Sequence, residues 1–300
     1  MTRNLKPIWK IGLMAGLWAA VSLWRQRPGH PRPGHPGTAL ITGASSGIGA
    51  AFARTLAAEG YDLLLVARRA ERLAALAAEL RQQHGVTVET LAVDLATPAG
   101  IAQVAQRITH LPNLTLLINN AGFGLKGPFW DVDLARQQAM IQLHVQATVA
   151  LCHAALPGML AHRHGQIINV SSVAAFGPLP GNATYMPTKA YLNNFSESLA
   201  LELQGRGVQV QALCPGFTYS EFHDTAEYAG FDRRRYPGFM WMTAEAVAAH
   251  SLAALRRAQP PVVFVPGRVN RLLTLIQRSR LPRPFLRQIV RLMGPSAARP

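Results

Sequence analysis

Three side chains near the middle of the chain have types and spacing suited to moving a proton. Ser172 is followed thirteen residues later by Tyr185, and Lys189 stands four residues beyond that. Alone, a phenol titrates at about 10 and a lysine ammonium at about 10.4, so neither carries protons at neutral pH. Helical positions four apart share a face, and an ammonium beside a phenol favours the phenolate. A tyrosine moved toward neutrality can give or take a proton in step with another bond change. Ser172, at the end of an apolar run, is placed to hydrogen-bond a substrate oxygen. The Pro- and Gly-rich stretch that follows it can bring the two hydroxyls together across a loop. A lone Tyr-x-x-x-Lys is common by chance, so the elements that position it decide its meaning.

From Thr38 onward, short apolar runs alternate with longer amphipathic ones. TALIT, DLLLVA, VTVETLAV, LTLLIN, QIINV, VQVQALC and PVVFV read as strands. Helices are predicted over about 47–59, 70–83, 137–161 and 184–204, with one more between the third and fourth strands. Near-continuous Leu/Val/Ile strands alternating with helices predict an α/β domain whose parallel sheet is covered on both faces.

The first strand runs into TGASSGIGAAF. Gly43, Gly47 and Gly49 sit at the turn that opens a helix. There the backbone can approach a pyrophosphate, and the helix N-terminus offers unpaired N–H groups. Ser45 and Ile48 belong to the same loop and are expected at the cofactor. A site selective for NAD places an acid at the end of the second strand, to hold the ribose 2′-hydroxyl. Here Ala67 fills that place, and Arg68 and Arg69 follow. A guanidinium pairs with a 2′-phosphate that a carboxylate would repel, so NADP(H) is expected over NAD(H), with Arg68 as the contact.

These marks together resemble the short-chain dehydrogenase/reductase family of the single-domain Tyr-x-x-x-Lys type. TGASSGIG (42–49), NNAG (119–122), NVSS (169–172), YMPTK (185–189) and PGFT (215–218) occur in the family's order, over about residues 38–265. The resemblance implies a Rossmann-type, doubly wound, parallel seven-stranded sheet with helices on both faces. It assigns Ser172 to substrate polarisation and Tyr185 to acid–base work. Lys189 then lowers the tyrosine pKa and holds the nicotinamide ribose. Asp94 is expected at the adenine, and Asn120 and Gly122 on the adenosine side. Pro215, Gly216 and Thr218 are expected to flank the nicotinamide amide and the pyrophosphate. In one place the sequence departs from the family, which usually carries an asparagine in the helix before the serine strand, holding a water in the proton relay. Counting back, that position falls at His144. A neutral imidazole donates and accepts as an amide does, and ordinarily titrates near 6.5, so His144 is expected to stand in for the asparagine.

The net charge of +15 is confined to the ends. Residues 1–37 carry six Lys/Arg and residues 261–300 carry eight, with no acid in either, leaving 16 basic against 15 acidic residues between them. Nucleic-acid binders usually carry the basic patch on the folded domain, so no nucleic-acid partner is expected; an anionic membrane surface fits basic tails better. Residues 1–26 read as a membrane-associating segment: from Ile8 to Trp24 the only charge is Lys10, and Trp9, Trp18 and Trp24 suit an interface. Residues 27–37, a tandem RPGHP pair, read as a linker. His30 and His35 are too few to define a metal site, and no metal is expected. Residues 38–267 read as the catalytic domain and 268–300 as a basic amphipathic tail. Cys152 and Cys214 are read as buried thiols in a reducing compartment. The expected location is the cytoplasmic face of a membrane, with access to NADPH.

The aromatic-rich stretch 216–242 occupies the position that covers the substrate in this family, and suggests a small hydrophobic ketone, aldehyde or secondary alcohol. The family commonly forms homodimers or homotetramers. A membrane-tied NADP-binding sensor without catalysis is the competing class. It predicts decay of the catalytic set, whereas Ser172, Tyr185 and Lys189 are all present. An epimerase would want a larger C-terminal substrate domain than the residues after the last strand supply.

Overall fold

The computed structural model describes residues 35–225, 228 and 231–278. The chain divides after His35, and everything below belongs to the second unit, Pro36–Pro300. The apolar 8–24 stretch, residues 27–34 of the linker and the end of the basic tail lie outside the described residues.

Strand β1 (Thr38–Thr42) leads through the glycine turn into α1 (Gly47–Ala58). Then follow β2 (Asp62–Ala67), α2 (Ala70–His84), β3 (Val88–Ala92), α3 (Pro98–Thr109) and β4 (Leu114–Asn119). Helix α4 (Leu134–Ile141) continues through a π-helical turn (Gln142–Ala147) into α5 (Thr148–Ala161). Next come β5 (Gly165–Val170), α6 (Tyr185–Glu202) and β6 (Val208–Leu213). A short parallel pair, β7 (Phe217–Tyr219) and β8 (Trp241–Thr243), precedes α7 (Ala244–Leu255), β9 (Val263–Phe264) and α8 (Arg268–Arg278).

The main sheet has seven parallel strands in the order β3-β2-β1-β4-β5-β6-β9. A separate core lies on each face. Phe52, Leu56, Leu73, Leu80 and Val247 fill one, and Val104, Leu151, Met159 and Val210 the other. Being buried from both sides is what makes the strands read as unbroken apolar runs. Strand order reverses between β1 and β4. In such sheets the crevice at the carboxyl ends of the strands, beside this reversal, is where a ligand binds.

Helix α4, the π turn and α5 together form the one stretch among the described residues, Leu134–Ala161, long and apolar enough to cross a membrane. Leu151, Cys152, Ala155 and Met159 of this stretch are buried in the domain's own core. The expectation of an unbroken helix is corrected at Gln142–Ala147, where one wide turn intervenes.

Candidate active site

Because every strand of the main sheet runs the same way, residues just past the strand ends gather along one rim. The glycine loop follows β1, the arginines follow β2 and Asp94 follows β3. Asn120 and Gly122 follow β4, Ser172 follows β5, and Pro215–Thr218 follow β6.

The glycine loop is tight for a physical reason. A Cβ on Gly49 would lie 2.4 Å from the Gly43 carbonyl oxygen, and one on Gly43 (φ +66°) would lie 2.8 Å from Asn120 Nδ2. Asn120 holds the loop to β1: its Nδ2 donates to the Thr42 and Gly43 carbonyls at 2.9 and 3.3 Å, and its N–H to Thr42 Oγ1 at 2.9 Å. This glycine-rich turn at the start of α1 fits a pyrophosphate. Ile48 packs on the core beneath it. Asp94 accepts the Ala96 N–H at 2.9 Å and fixes its own turn.

Of the two arginines after β2, Arg69 is the one that reaches the loop. Its Nη2 donates to Ser45 Oγ at 3.0 Å and Ser46 Oγ at 2.8 Å, and its Nη1 pairs with Glu221 at 2.8 Å. Arg72, one turn into α2, pairs with the same carboxylate. Sequence reasoning centred on Arg68 and missed Arg72 and Glu221, which is 149 positions away from Arg72 in the chain.

The proton-moving set forms around the start of α6. Tyr185 is its first residue, and Lys189 lies one turn on, Nζ 5.7 Å from the phenol ring centre. Lys189 is buried, and its Nζ donates to the Val170 carbonyl at 2.9 Å. Burial lowers its pKa to about 8. Ser172 accepts the Ala174 N–H at 3.1 Å, which leaves its own hydrogen free to donate. Tyr185 departs from expectation. Burial pushes the half-buried phenol up to about 12, opposed by the nearby Ser172 hydroxyl. Desolvation is the dominant cause, and at neutral pH the phenol keeps its proton.

His144 also departs from expectation. It lies on the π turn and is 1 % exposed. Nε2 accepts the Phe123 N–H at 3.2 Å, so the proton sits on Nδ1, which donates to Thr188 Oγ1 at 2.9 Å. Thr188 in turn donates to the Tyr185 carbonyl at 2.7 Å. Burial first, then the Lys189 charge, hold the imidazole well below its usual pKa. It does not titrate near 6.5 as expected, and both ring nitrogens already have protein partners. These two contacts pin the loop after β4 to the start of α6.

Pro215, Gly216 and Thr218 line the end of β6. The Pro215 carbonyl accepts the Val173 N–H at 2.9 Å, and Thr218 Oγ1 donates to the Gly216 carbonyl at 3.1 Å. Gly216 is needed because α8 comes close: an added Cβ would meet Asn270 Oδ1 at 2.4 Å. Asn270 and Thr274 are the buried side of α8, whereas Leu272 and Leu275 are exposed.

Most aromatics of 216–242 pack on each other. Phe217 and Tyr219 each stack on Trp241 at 5.0 Å, and His223 stacks on Phe231 at 4.6 Å. They form the segment's own small core, so their number does not by itself measure the polarity of a ligand. Phe222 reaches the site, its ring 6.0 Å from that of Tyr185. Beside Tyr185 a recess is lined by Leu125, Phe129, Val132 and Gln137. Gln137 ties its wall together, donating to the Phe129 and Val132 carbonyls at 3.1 Å.

Comparison with known proteins agrees with this arrangement. The model of the short chain dehydrogenase family matches residues 37–228. Sulfoacetaldehyde reductase 2 of Chromohalobacter salexigens is 39% identical over 186 residues, 61% of this chain and 73% of that protein. A very-long-chain 3-oxoacyl-CoA reductase of Coprinopsis cinerea is 36% identical over 187 residues, covering 61% of this chain and 55% of that longer one. The solved short-chain dehydrogenase from Sphingobium yanoikuyae in complex with NADPH superposes with a TM-score of 0.73 at 36% identity, over 87% of this chain and 98% of that one.

Proposed function

The chain belongs to the short-chain dehydrogenase family and is an oxidoreductase of the CH–OH/C=O pair, and we propose that it is NADP-dependent, acts on a hydrophobic ketone, aldehyde or secondary alcohol, and uses Tyr185 as acid and base. The observation that carries this reading is Tyr185 opening α6 with the buried Lys189 one helical turn away, its Nζ 5.7 Å from the phenol ring centre, at the strand-end rim that also holds Ser172 and the glycine loop.

A bound nicotinamide dinucleotide supplies or accepts the hydride and, when oxidised, adds a positive charge. Gly43, Gly47 and Gly49 would hold its pyrophosphate, with Ser45, Ile48 and Asn120 shaping that loop. Asp94 and Gly122 would border the adenosine side, and Pro215, Gly216 and Thr218 the nicotinamide end. Lys189 would hold the ribose. Arg69, supported by Arg72, supplies the cationic place for a 2′-phosphate, and so favours NADP(H). In the reducing direction Tyr185, kept protonated by burial, gives its proton to the carbonyl oxygen while Ser172 steadies that oxygen. In the oxidising direction the phenol must hold the negative charge briefly, and the Lys189 ammonium favours that state.

The similar proteins named above act on carbonyl compounds as different as sulfoacetaldehyde and a very-long-chain oxoacyl-CoA. The choice of a hydrophobic substrate therefore rests on Leu125, Phe129 and Val132 beside Tyr185, around a recess of only about 10 Å³ that a substrate would have to widen. The basic ends support attachment to an anionic membrane on its cytoplasmic side, and family membership supports a homodimer or homotetramer. Flotation of the full chain with anionic vesicles tests the first, and light scattering in detergent the second.

The deciding experiment is NADPH oxidation by detergent-purified protein against medium- and long-chain ketones and aldehydes, with Tyr185→Phe in parallel. Turnover that is lost in the variant while NADPH still binds is expected. Equal turnover in both proteins would remove Tyr185 from the reaction, and equal affinity for NADH and NADPH would remove the cofactor preference.

A further inference from the structure

The turn after β7 ties the two ends of the site to each other. Glu221 closes a fork with Arg69 and Arg72, and Arg69 at the same time holds Ser45 and Ser46 of the glycine loop. The preceding Ser220 crowds the loop, since a Cβ on Gly47 would lie 3.0 Å from Ser220 Cβ. The following Phe222 lies against the Tyr185 ring. Arg233 fastens the same turn from its other side, donating to the Ser220 carbonyl at 2.7 Å and to Asp224 Oδ1 at 2.6 Å.

A carboxylate between two guanidiniums and beside two loop hydroxyls occupies a place chemically suited to a phosphate monoester. Both offer anionic oxygens in a plane the guanidinium fork can match. The two differ in strength: a phosphate monoester carries nearly twice the charge and one more acceptor oxygen. All three side chains of the fork are about half exposed, so the existing ion pairs are weak and replaceable.

We propose that Glu221 is a cofactor-selective latch: it competes with the 2′-phosphate of NADP(H) for Arg69 and Arg72, so that NADP(H), but not NAD(H), releases the Glu221–His223 turn from over Tyr185. The inference rests on the NADP reading above and adds to it a residue that sets how strongly the 2′-phosphate is favoured. It also gives discrimination a consequence, because the turn that yields at the arginines is the one that covers the acid–base tyrosine.

The test uses the full chain in detergent, with adenosine 2′,5′-bisphosphate and 5′-AMP as probes, read by calorimetry and by trypsin cleavage at Arg233–Arg235. The wild type is expected to bind the bisphosphate more tightly than AMP and to be cleaved faster in its presence. Glu221→Gln is expected to bind the bisphosphate about two- to tenfold more tightly than wild type, the worth of the two exposed ion pairs it loses. Its AMP affinity should be unchanged, and its cleavage fast without ligand. If the wild type prefers the bisphosphate but Glu221→Gln binds it no better, the latch is wrong and the NADP reading stands. If the wild type does not distinguish the two probes, the NADP reading fails and the latch falls with it.

Discussion

Replacing His144 with alanine separates a buried structural imidazole from a proton carrier. In the fold, His144 is neutral because burial and the Lys189 charge oppose its protonation. In the unfolded chain it takes a proton below about 6.5. The folded pKa is the lower one, so acid draws the equilibrium toward the unfolded state, and stability is lost as pH falls through 6.5. Burial and the Lys189 charge keep the folded imidazole neutral below the pH at which the unfolded one protonates, so the loss grows between pH 7 and pH 5. Alanine removes this term. It also orphans the buried Phe123 N–H, which now donates to Nε2, and leaves a cavity, for a cost of about 2–4 kcal/mol at pH 7. Urea unfolding of both proteins at pH 7 and pH 5 therefore gives two readings. The variant should be weaker at pH 7, and its stability should fall less than that of the wild type on acidification. His223, held to about 4 by burial, contributes equally to both proteins and cancels. His144→Asn, which restores an acceptor for the Phe123 N–H, should recover part of the pH 7 loss. Parallel acid dependence in wild type and His144→Ala would refute the neutral, buried imidazole. So would a limb near pH 6.5 in the wild-type rate profile that disappears in the variant, because only a titrating His144 produces it.

Lys189, lowered to about 8, loses its charge across the mildly alkaline range. Dinucleotide affinity measured by fluorescence should weaken above about pH 8, and Lys189→Arg, which stays charged, should flatten that limb; an affinity independent of pH up to 10 contradicts it. Gly49→Ala drives a methyl to 2.4 Å from the Gly43 carbonyl, and should cost about 1–3 kcal/mol in urea unfolding along with most NADPH affinity in calorimetry. Asn270→Ala removes a donor to the Pro266 carbonyl, 3.1 Å away, and should cost about 1–3 kcal/mol. Leu275→Ser, on the exposed side of the same helix, should stay within about 0.5 kcal/mol, and the reverse ranking would place α8 the other way round.

Much of this architecture is legible in the sequence for one reason. A parallel sheet buried on both faces favours apolar runs in its central strands, and DLLLVA and LTLLIN coincide with β2 and β4. The glycines and the Ser-Tyr-Lys set are legible because backbone crowding and helical spacing constrain them locally. What escaped notice has no such local signature. The π turn keeps an ordinary helical composition. The partners of His144 come from the loop after β4 and from α6, and no spacing connects them. In α8 the pattern misleads, since polar Asn270 and Thr274 face inward while Leu272 and Leu275 face out.

That inversion in α8 and the fork at Glu221 share a cause that bears on function. Hydrophobic burial is non-directional and builds the sheet, but the site is closed by polar contacts that require particular partners. Asn270 holds Pro266 and meets Gly216, Arg69 holds the glycine loop, and Arg233 holds the turn that carries Glu221. Several of these contacts are half exposed, and such pairs are worth little in stability. Their loss therefore scarcely threatens the fold, which the two apolar cores maintain. It frees the segment over Tyr185 to move at small cost while the strand-end rim stays fixed. A dehydrogenase needs that division, because cofactor and substrate must enter and leave whereas the hydroxyls that pass the proton must keep their places. The stacking of Phe217 and Tyr219 on Trp241 and of His223 on Phe231 gives that covering segment an interior of its own.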